Sequence, residues 1–206
     1  MSFELLKPKE IEARSFAIIE EQIANISMPE QQKQILKRVI HTTADFDYIQ
    51  NLQFSDHAIE KALQALRNGA DIVTDTNMAA AGIHKNILHQ MGGQVHCFMA
   101  DADVAAEAKA RNITRAMICM EKACTLQKNL IFAIGNAPTA LYALHQLIQA
   151  GNVHPVLIIA VPVGFVNVIE AKKLIMQGKT PYIIAQGNKG GSNVAAAICN
   201  ALLYQL

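Results

Sequence analysis

Residues 130–138 read Leu-Ile-Phe-Ala-Ile-Gly-Asn-Ala-Pro, and this stretch decides the fold. Five consecutive apolar residues leave no face for solvent, as in a parallel strand covered by helices on both sides. Gly135 and Asn136 then mark a turn. Pro138 stands where an N1 proline belongs, and Gly151 lies at the far end of the helical pattern that follows. The same unit recurs along the chain. Asp71–Asp75, Val95–Met99, Val156–Val161 and Tyr182–Ala185 are short runs rich in β-branched residues, each followed by a turn and a helical pattern. Their spacing leaves room for one crossover helix apiece. The expected fold class is therefore α/β, a doubly wound, mostly parallel sheet of about five strands.

Upstream of the sheet the periodicity changes. Ile11, Ser15, Ile18, Ile19, Ile23 and Ile26 fall largely along one helical face, and Met28-Pro29 ends that helix. A second helix carries Ile35, Leu36, Val39 and Ile40 as its apolar stripe and runs into His41-Thr42-Thr43-Ala44-Asp45. We expect one domain over 1–206, with a helical leader over 1–54 and the α/β sheet region over 55–206. Ser55 is the expected N-cap of a helix whose buried stripe is Ala58, Ile59, Ala62, Leu63 and Leu66. Asp101 or Asp103 can cap a later helix, and Gly178 closes one that begins near Phe165.

Composition narrows the function classes. The chain has 206 residues, 51% of them hydrophobic, and a domain of this size buries roughly 70% of its unfolded surface. Eighteen Lys and Arg balance seventeen Asp and Glu, so no global field favours nucleic acid or an anionic membrane. The N-terminus lacks the apolar core of a signal peptide. The longest apolar run, Val156–Val163, is far shorter than the ~20 residues of a membrane helix. A cytoplasmic protein is expected. The four cysteines form no CxxC pair and read as reduced thiols, and the seven histidines show no zinc spacing. No protein-bound metal is expected.

In an open parallel sheet, ligands lie outside the carboxyl ends of the strands. Those ends read Asp75-Thr76-Asn77, Gly135-Asn136-Ala137-Pro138, Pro162-Val163-Gly164 and Gly187-Asn188-Lys189-Gly190-Gly191-Ser192. The last combines glycines ahead of a helix with a lysine. It fits an anion cradle of outward N–H groups and equally fits a plain tight turn. It is neither a Walker A loop nor GxGxxG, so no nucleotide is indicated. His41, near a helix C-terminus, is a candidate acid at neutral pH, and a helix-capping histidine is the competing reading. Arg38, three residues earlier, opposes its protonation by like-charge repulsion, which a polyanionic substrate would relieve. Ser15 interrupts an isoleucine stripe, so its hydroxyl either bonds the carbonyl four residues back or faces a ligand. Arg115 opens a helix, where the dipole disfavours a cation, and is either a ligand contact or a solvated surface residue.

With these residues in hand, the chain resembles the precorrin-8X/cobalt-precorrin-8 methylmutase family over essentially its full length. The resemblance is carried by 11–19 (IEARSFAII), 38–47 (RVIHTTADFD), 74–78 (TDTNM) with Gly82-Ile83, and 113–115 (ITR). It continues through 135–141 (GNAPTAL), 162–166 (PVGFV) and 190–197 (GGSNVAAA). It implies an isomerase that moves a methyl group from C-11 to C-12 of a tetrapyrrole by an acid-assisted 1,5-sigmatropic shift. It also implies a homodimer with the site near the subunit interface, and no organic cofactor. His41 carries over as the catalytic histidine, with Ser15, Arg38 and Arg115 as substrate contacts. Thr76, Asn136, Lys189 and Ser192, at the carboxyl ends of strands, complete the expected substrate-binding set. The string His-Thr-Thr-Ala-Asp-Phe-Asp resembles the branch in which cobalt is already in the ring. The expected reaction then takes cobalt-precorrin-8 to cobyrinate, with any cobalt belonging to the substrate. Two positions depart from the family pattern: Asn188 stands where an arginine is usual, and Ala171 where a serine is usual. A non-catalytic corrinoid-binding carrier is the alternative from another class.

Overall fold

The computed structural model describes residues 7–206. Two helices come first, α1 (Pro8–Ile23) and α2 (Glu30–Thr43), followed by the single turn α3 (Tyr48–Asn51) and a short strand, β1 (Leu52–Phe54). The alternating part begins with α4 (Ala58–Arg67), β2 (Asp71–Thr74), α5 (Asn77–Gly82), α6 (Lys85–Gln90) and β3 (Val95–His96). It continues with α7 (Ala102–Arg111), α8 (Arg115–Ala123), β4 (Leu130–Ile134), α9 (Pro138–Gln149) and β5 (Leu157–Ala160). The last elements are α10 (Val168–Met176), β6 (Tyr182–Ala185) and α11 (Ser192–Leu203).

The sheet has six strands in the order β1-β6-β5-β4-β2-β3. The five strands read from the sequence pair in parallel. The sixth, β1, pairs antiparallel with β6 at the edge. Three residues are too few to show a period of two, which is why it escaped the sequence reading. Alternate residues of each strand feed opposite cores. Ile131 and Ala133 of β4 pack with α1, α2, α4 and α11. Leu130, Phe132 and Ile134 pack with α7, α8, α9 and α10. Helices thus cover both faces, as a doubly wound sheet requires.

Several local expectations need correction. The run Val95–Met99 is strand only over Val95–His96. Ser55 does not cap α4; His57 takes that place in the left-handed region, and Ser55 Oγ accepts the backbone N–H of Tyr182 at 2.8 Å. Asp101 occupies the N-cap of α7 without a side-chain cap bond, because its carboxylate pairs with Lys122 at 2.8 Å. The helix expected from Phe165 starts at Val168, and the first leader helix ends at Ile23, ahead of Met28-Pro29. Among the described residues, no helix is long and apolar enough to cross a membrane.

The strand order reverses between β2 and β4, and ligand crevices of open sheets form at such reversals. Here the crevice is closed from within. Asp75, 1% exposed at the end of β2, accepts the backbone N–H groups of Gly135, Asn136 and Ala137 at 2.8, 2.8 and 2.6 Å. Burial raises its pKa and the three amides pull it back. The amino end of α9 is therefore already filled by an internal carboxylate.

Candidate functional site

His41 lies in the last turn of α2, which ends at Ala44 in the left-handed region with its N–H on the Ile40 carbonyl at 2.7 Å. The imidazole is exposed and stacks on the Phe16 ring, centroids 4.8 Å apart and planes 19° from parallel. Packing of α1 on α2 thus orients the ring while leaving it open to a ligand. Ser15 joins His41 in lining a groove of about 290 Å³, with Ile18, Ile19, Ile40, Ala44 and Phe46. Ser15 Oγ donates to the Ile11 carbonyl at 2.9 Å, the local bond that competes with a ligand-facing role, and its oxygen keeps acceptor capacity.

Arg38 approaches Phe16 too. Its guanidinium sits 4.7 Å from the Phe16 centroid and 4.8 Å from that of Tyr204, and Nη1 pairs with Glu12 at 3.1 Å. Glu12 and the two aromatic faces thus hold the Arg38 cation. Arg38 lines a second groove of about 290 Å³ with Phe16, Gln34, Lys37 and Tyr204.

The remaining candidates lie on the sheet side. Thr76 caps α5, accepting the Ala79 N–H at 3.1 Å, and its hydroxyl shares a 2.8 Å hydrogen bond with Ser192 Oγ at the start of α11. Asn136 is exposed beside them, its backbone N–H held by Asp75. Arg115 is exposed at the first position of α8. The preceding residue, Thr114, shares a 2.9 Å hydroxyl bond with Thr139 of α9. No hydrogen bond or ion pair joins Arg115 to the other candidates among the described residues. The structure thus brings together Ser15 with His41, and Thr76 with Ser192, and leaves Arg115 apart within one chain.

Lys189, expected as a substrate contact, is ion-paired within the chain. Its ammonium bonds Asp45 Oδ2 at 2.6 Å and Asp47 Oδ2 at 2.5 Å, which raises its pKa and lowers that of Asp45. It is a clamp between the glycine-rich loop and the turn that follows His41. The backbone of that loop supplies the anion-binding potential instead. The carbonyls of Gly187 and Lys189 accept from Lys172 Nζ at 2.8 and 2.9 Å, and the Asn188 carbonyl accepts the Gly164 N–H at 3.1 Å. Among the described residues, the N–H groups of Asn188, Lys189 and Gly190 have no protein partner. Gly190 permits this arrangement: at φ +157, an added Cβ would lie 2.1 Å from the Val161 carbonyl oxygen.

Phe16, Asp75 and Lys172 were missed. Lys172 had a signal: it occupies the helical stripe of Val168, Ala171 and Ile175, where a lysine is out of place. Asp75 and Phe16 had none beyond their positions in the quoted stretches, because their roles depend on contacts across elements.

Comparison with known proteins identifies the family. Residues 10–205 match the family model described as precorrin-8X methylmutase. The cobalt-precorrin-8 methylmutase of Salmonella typhimurium is 44% identical, covering 97% of this chain and 96% of that protein. The precorrin-8X methylmutase of Pseudomonas aeruginosa is 36% identical over 92% of this chain and 91% of that protein. The crystal structure of precorrin-8X methyl mutase from Thermus thermophilus superposes with a TM-score of 0.86 at 36% identity, covering 94% of this chain and 96% of that one. A fold shared with that structure and sequence identity held nearly end to end place the chain in the precorrin-8X methylmutase family of isomerases.

Proposed function

We propose that this protein isomerises cobalt-precorrin-8 to cobyrinate, moving a methyl group from C-11 to C-12, with His41 as the acid. The observation that carries this reading is the exposed imidazole of His41, fixed against Phe16 and sharing a groove with Ser15. Hydrogen bonding or proton donation from His41 to the ring system draws electron density from it and lowers the barrier to migration. General-acid assistance of this kind gives about 10²–10⁴ in rate. Holding the pigment so that the migrating carbon sits over its target supplies the rest. With cobalt on the ring nitrogens, hydrogen-bond polarisation takes the place of full proton transfer. The cobalt belongs to the substrate, and no organic cofactor takes part. Similarity favours the cobalt form: the Salmonella relative, named for cobalt-precorrin-8, is 44% identical, and the Pseudomonas relative, named for precorrin-8X, is 36% identical.

A corrinoid overfills a groove of about 290 Å³, so we infer a homodimer whose second subunit completes the site. The support is a set of exposed apolar side chains at the carboxyl edge of the sheet, where Phe165 is 91%, Val166 77% and Met78 70% exposed. Ser15, Arg38, Thr76, Arg115, Asn136 and Ser192 are the proposed substrate contacts, and Lys189 contributes through its loop. The location consistent with this chemistry is cytoplasmic. The test is incubation with cobalt-loaded and metal-free precorrin-8 while recording the visible spectrum. A change with the cobalt form supports the reading, whereas binding without any change would identify a carrier. His41→Ala should keep the fold and pigment binding and lose about 10²–10⁴ in kcat. Near-normal turnover in that variant would remove the acid role.

A further inference from the structure

The glycine-rich loop owes its shape to a side chain the proposed reaction does not use. Lys172 of α10 is 2% exposed and enters the loop from behind. Its Nζ bonds the carbonyls of residues 187 and 189, and Gly164 N–H bonds the carbonyl between them. Three successive carbonyls are thereby turned inward. A chain with its carbonyls on one side presents its amides on the other, and the N–H groups of residues 188–190 have no protein partner among the described residues. Gly191 N–H bonds the Val161 carbonyl at 2.9 Å, so the loop is pinned on its far side as well. The ammonium adds a positive charge immediately behind these amides. Lys189, the other cation of the loop, is committed to Asp45 and Asp47.

The geometry points to Lys172 as the positioning residue that preorganises the amides of Asn188, Lys189 and Gly190 to hold a carboxylate arm of the pigment. This inference rests on the methylmutase reading for the identity of the ligand, though the cradle itself is a property of the loop. Lys172 touches no substrate. It acts by fixing the backbone that does. Its loss therefore weakens ground-state and transition-state binding alike, which raises KM and leaves kcat little changed.

The test compares wild type, Lys172→Met and Lys172→Gln, the last keeping an N–H donor on a side chain one bond shorter. Expected for both variants is a pigment Kd and KM raised about tenfold, the scale of one charge-assisted hydrogen bond, with kcat within about twofold. In parallel, backbone amide resonances are followed while succinate is titrated into each protein. The resonances of residues 188–190 should move in wild type and stay fixed in the variants. Should Lys172→Met fail to fold, Lys172→Gln gives the same readings. Variants that bind pigment and succinate as wild type does would overturn the proposal, as would wild-type amides indifferent to succinate. If wild type leaves the pigment unchanged, the methylmutase reading fails while the succinate titration still judges Lys172.

Discussion

Lys172→Met should change how stability depends on pH in a way no surface lysine could reproduce. Burial brings the Lys172 ammonium down from the ordinary lysine value of 10.5 to about 8, because removal from water penalises the charged form. Between these values the unfolded chain holds the proton and the folded protein has released it, so wild-type stability rises with pH through that window. The contribution is absent below pH 8 and complete above 10.5. At about 1.4 kcal/mol per pH unit, the full gain is about 3 kcal/mol. The neutral amine still offers two N–H groups to its two carbonyl partners, so deprotonation does not release the loop. Burial raises the thiols of Cys119 and Cys199 to about 12, and they act in the opposite direction above pH 9. Both proteins share that loss, and it cancels in the difference. The assay is urea unfolding of wild type and Lys172→Met from pH 7 to 10, plotted as the difference in unfolding free energy. The difference should climb by about 2 kcal/mol or more across the range. A flat line would mean that Lys172 is as well hydrated in the folded protein as in the unfolded one, and that its inward geometry is wrong.

Asp75→Asn should destabilise the protein by about 2–4 kcal/mol in thermal or urea unfolding, since an amide cannot accept from all three N–H groups now held by the carboxylate. A loss under 1 kcal/mol would show that the β2–β4 crevice is not closed by this side chain. Gly190→Ala places a Cβ 2.1 Å from the Val161 carbonyl oxygen, so it should cost about 2–3 kcal/mol or displace the loop; pigment affinity and a melting curve read both outcomes. Phe165→Glu, at a residue 91% exposed, should leave the monomer fold intact and shift sedimentation towards monomer. An unchanged sedimentation coefficient with full activity would place the subunit contact elsewhere.

The strands β4, β5 and β6 were legible because each is an apolar run between turn residues, and burial on both faces leaves no other use for such a run. Pro138 and Gly151 bracketed α9 for reasons that are purely local. What escaped had causes outside its own segment. β1 exists because β6 offers it a partner, and Ser55 answers Tyr182 across 127 residues in place of capping its own helix. Within the site, His41 was eligible from its helix-terminal position, and the family motif selected it. The lysines were harder, because charge on a residue does not tell where the charge is spent. Lys189 looked available and is held by two carboxylates. Lys172, out of place in the apolar stripe of α10, is the buried one.

These two lysines divide the work of relating the proposed acid, His41 on the helical leader, to the proposed anchor on the sheet. His41 belongs to α2, packed beside α11 rather than built on a strand, so its distance from the glycine-rich loop is set by that helix packing together with the ion pairs of Lys189. Lys189 makes that connection. It extends from the loop to Asp45 and Asp47, four and six residues beyond His41, and Asp45 Oδ1 also accepts the Asp47 N–H at 2.9 Å, which shapes the turn. Lys172 fixes the loop to α10 from the other side. The path from α10 to the imidazole then runs through the hydrogen bonds of Lys172, the ion pairs of Lys189 and the left-handed turn at Ala44. In the proposed reaction the Lys189 tie keeps the loop in register with His41, where misplacement by about 1 Å can cost a hundredfold in rate, while Lys172 sets how tightly the loop's amides hold an acidic arm. A chain that places its acid and its anchor on separate elements needs such a tie, and ion pairs to an anchored loop supply it without placing another side chain in the pigment's path.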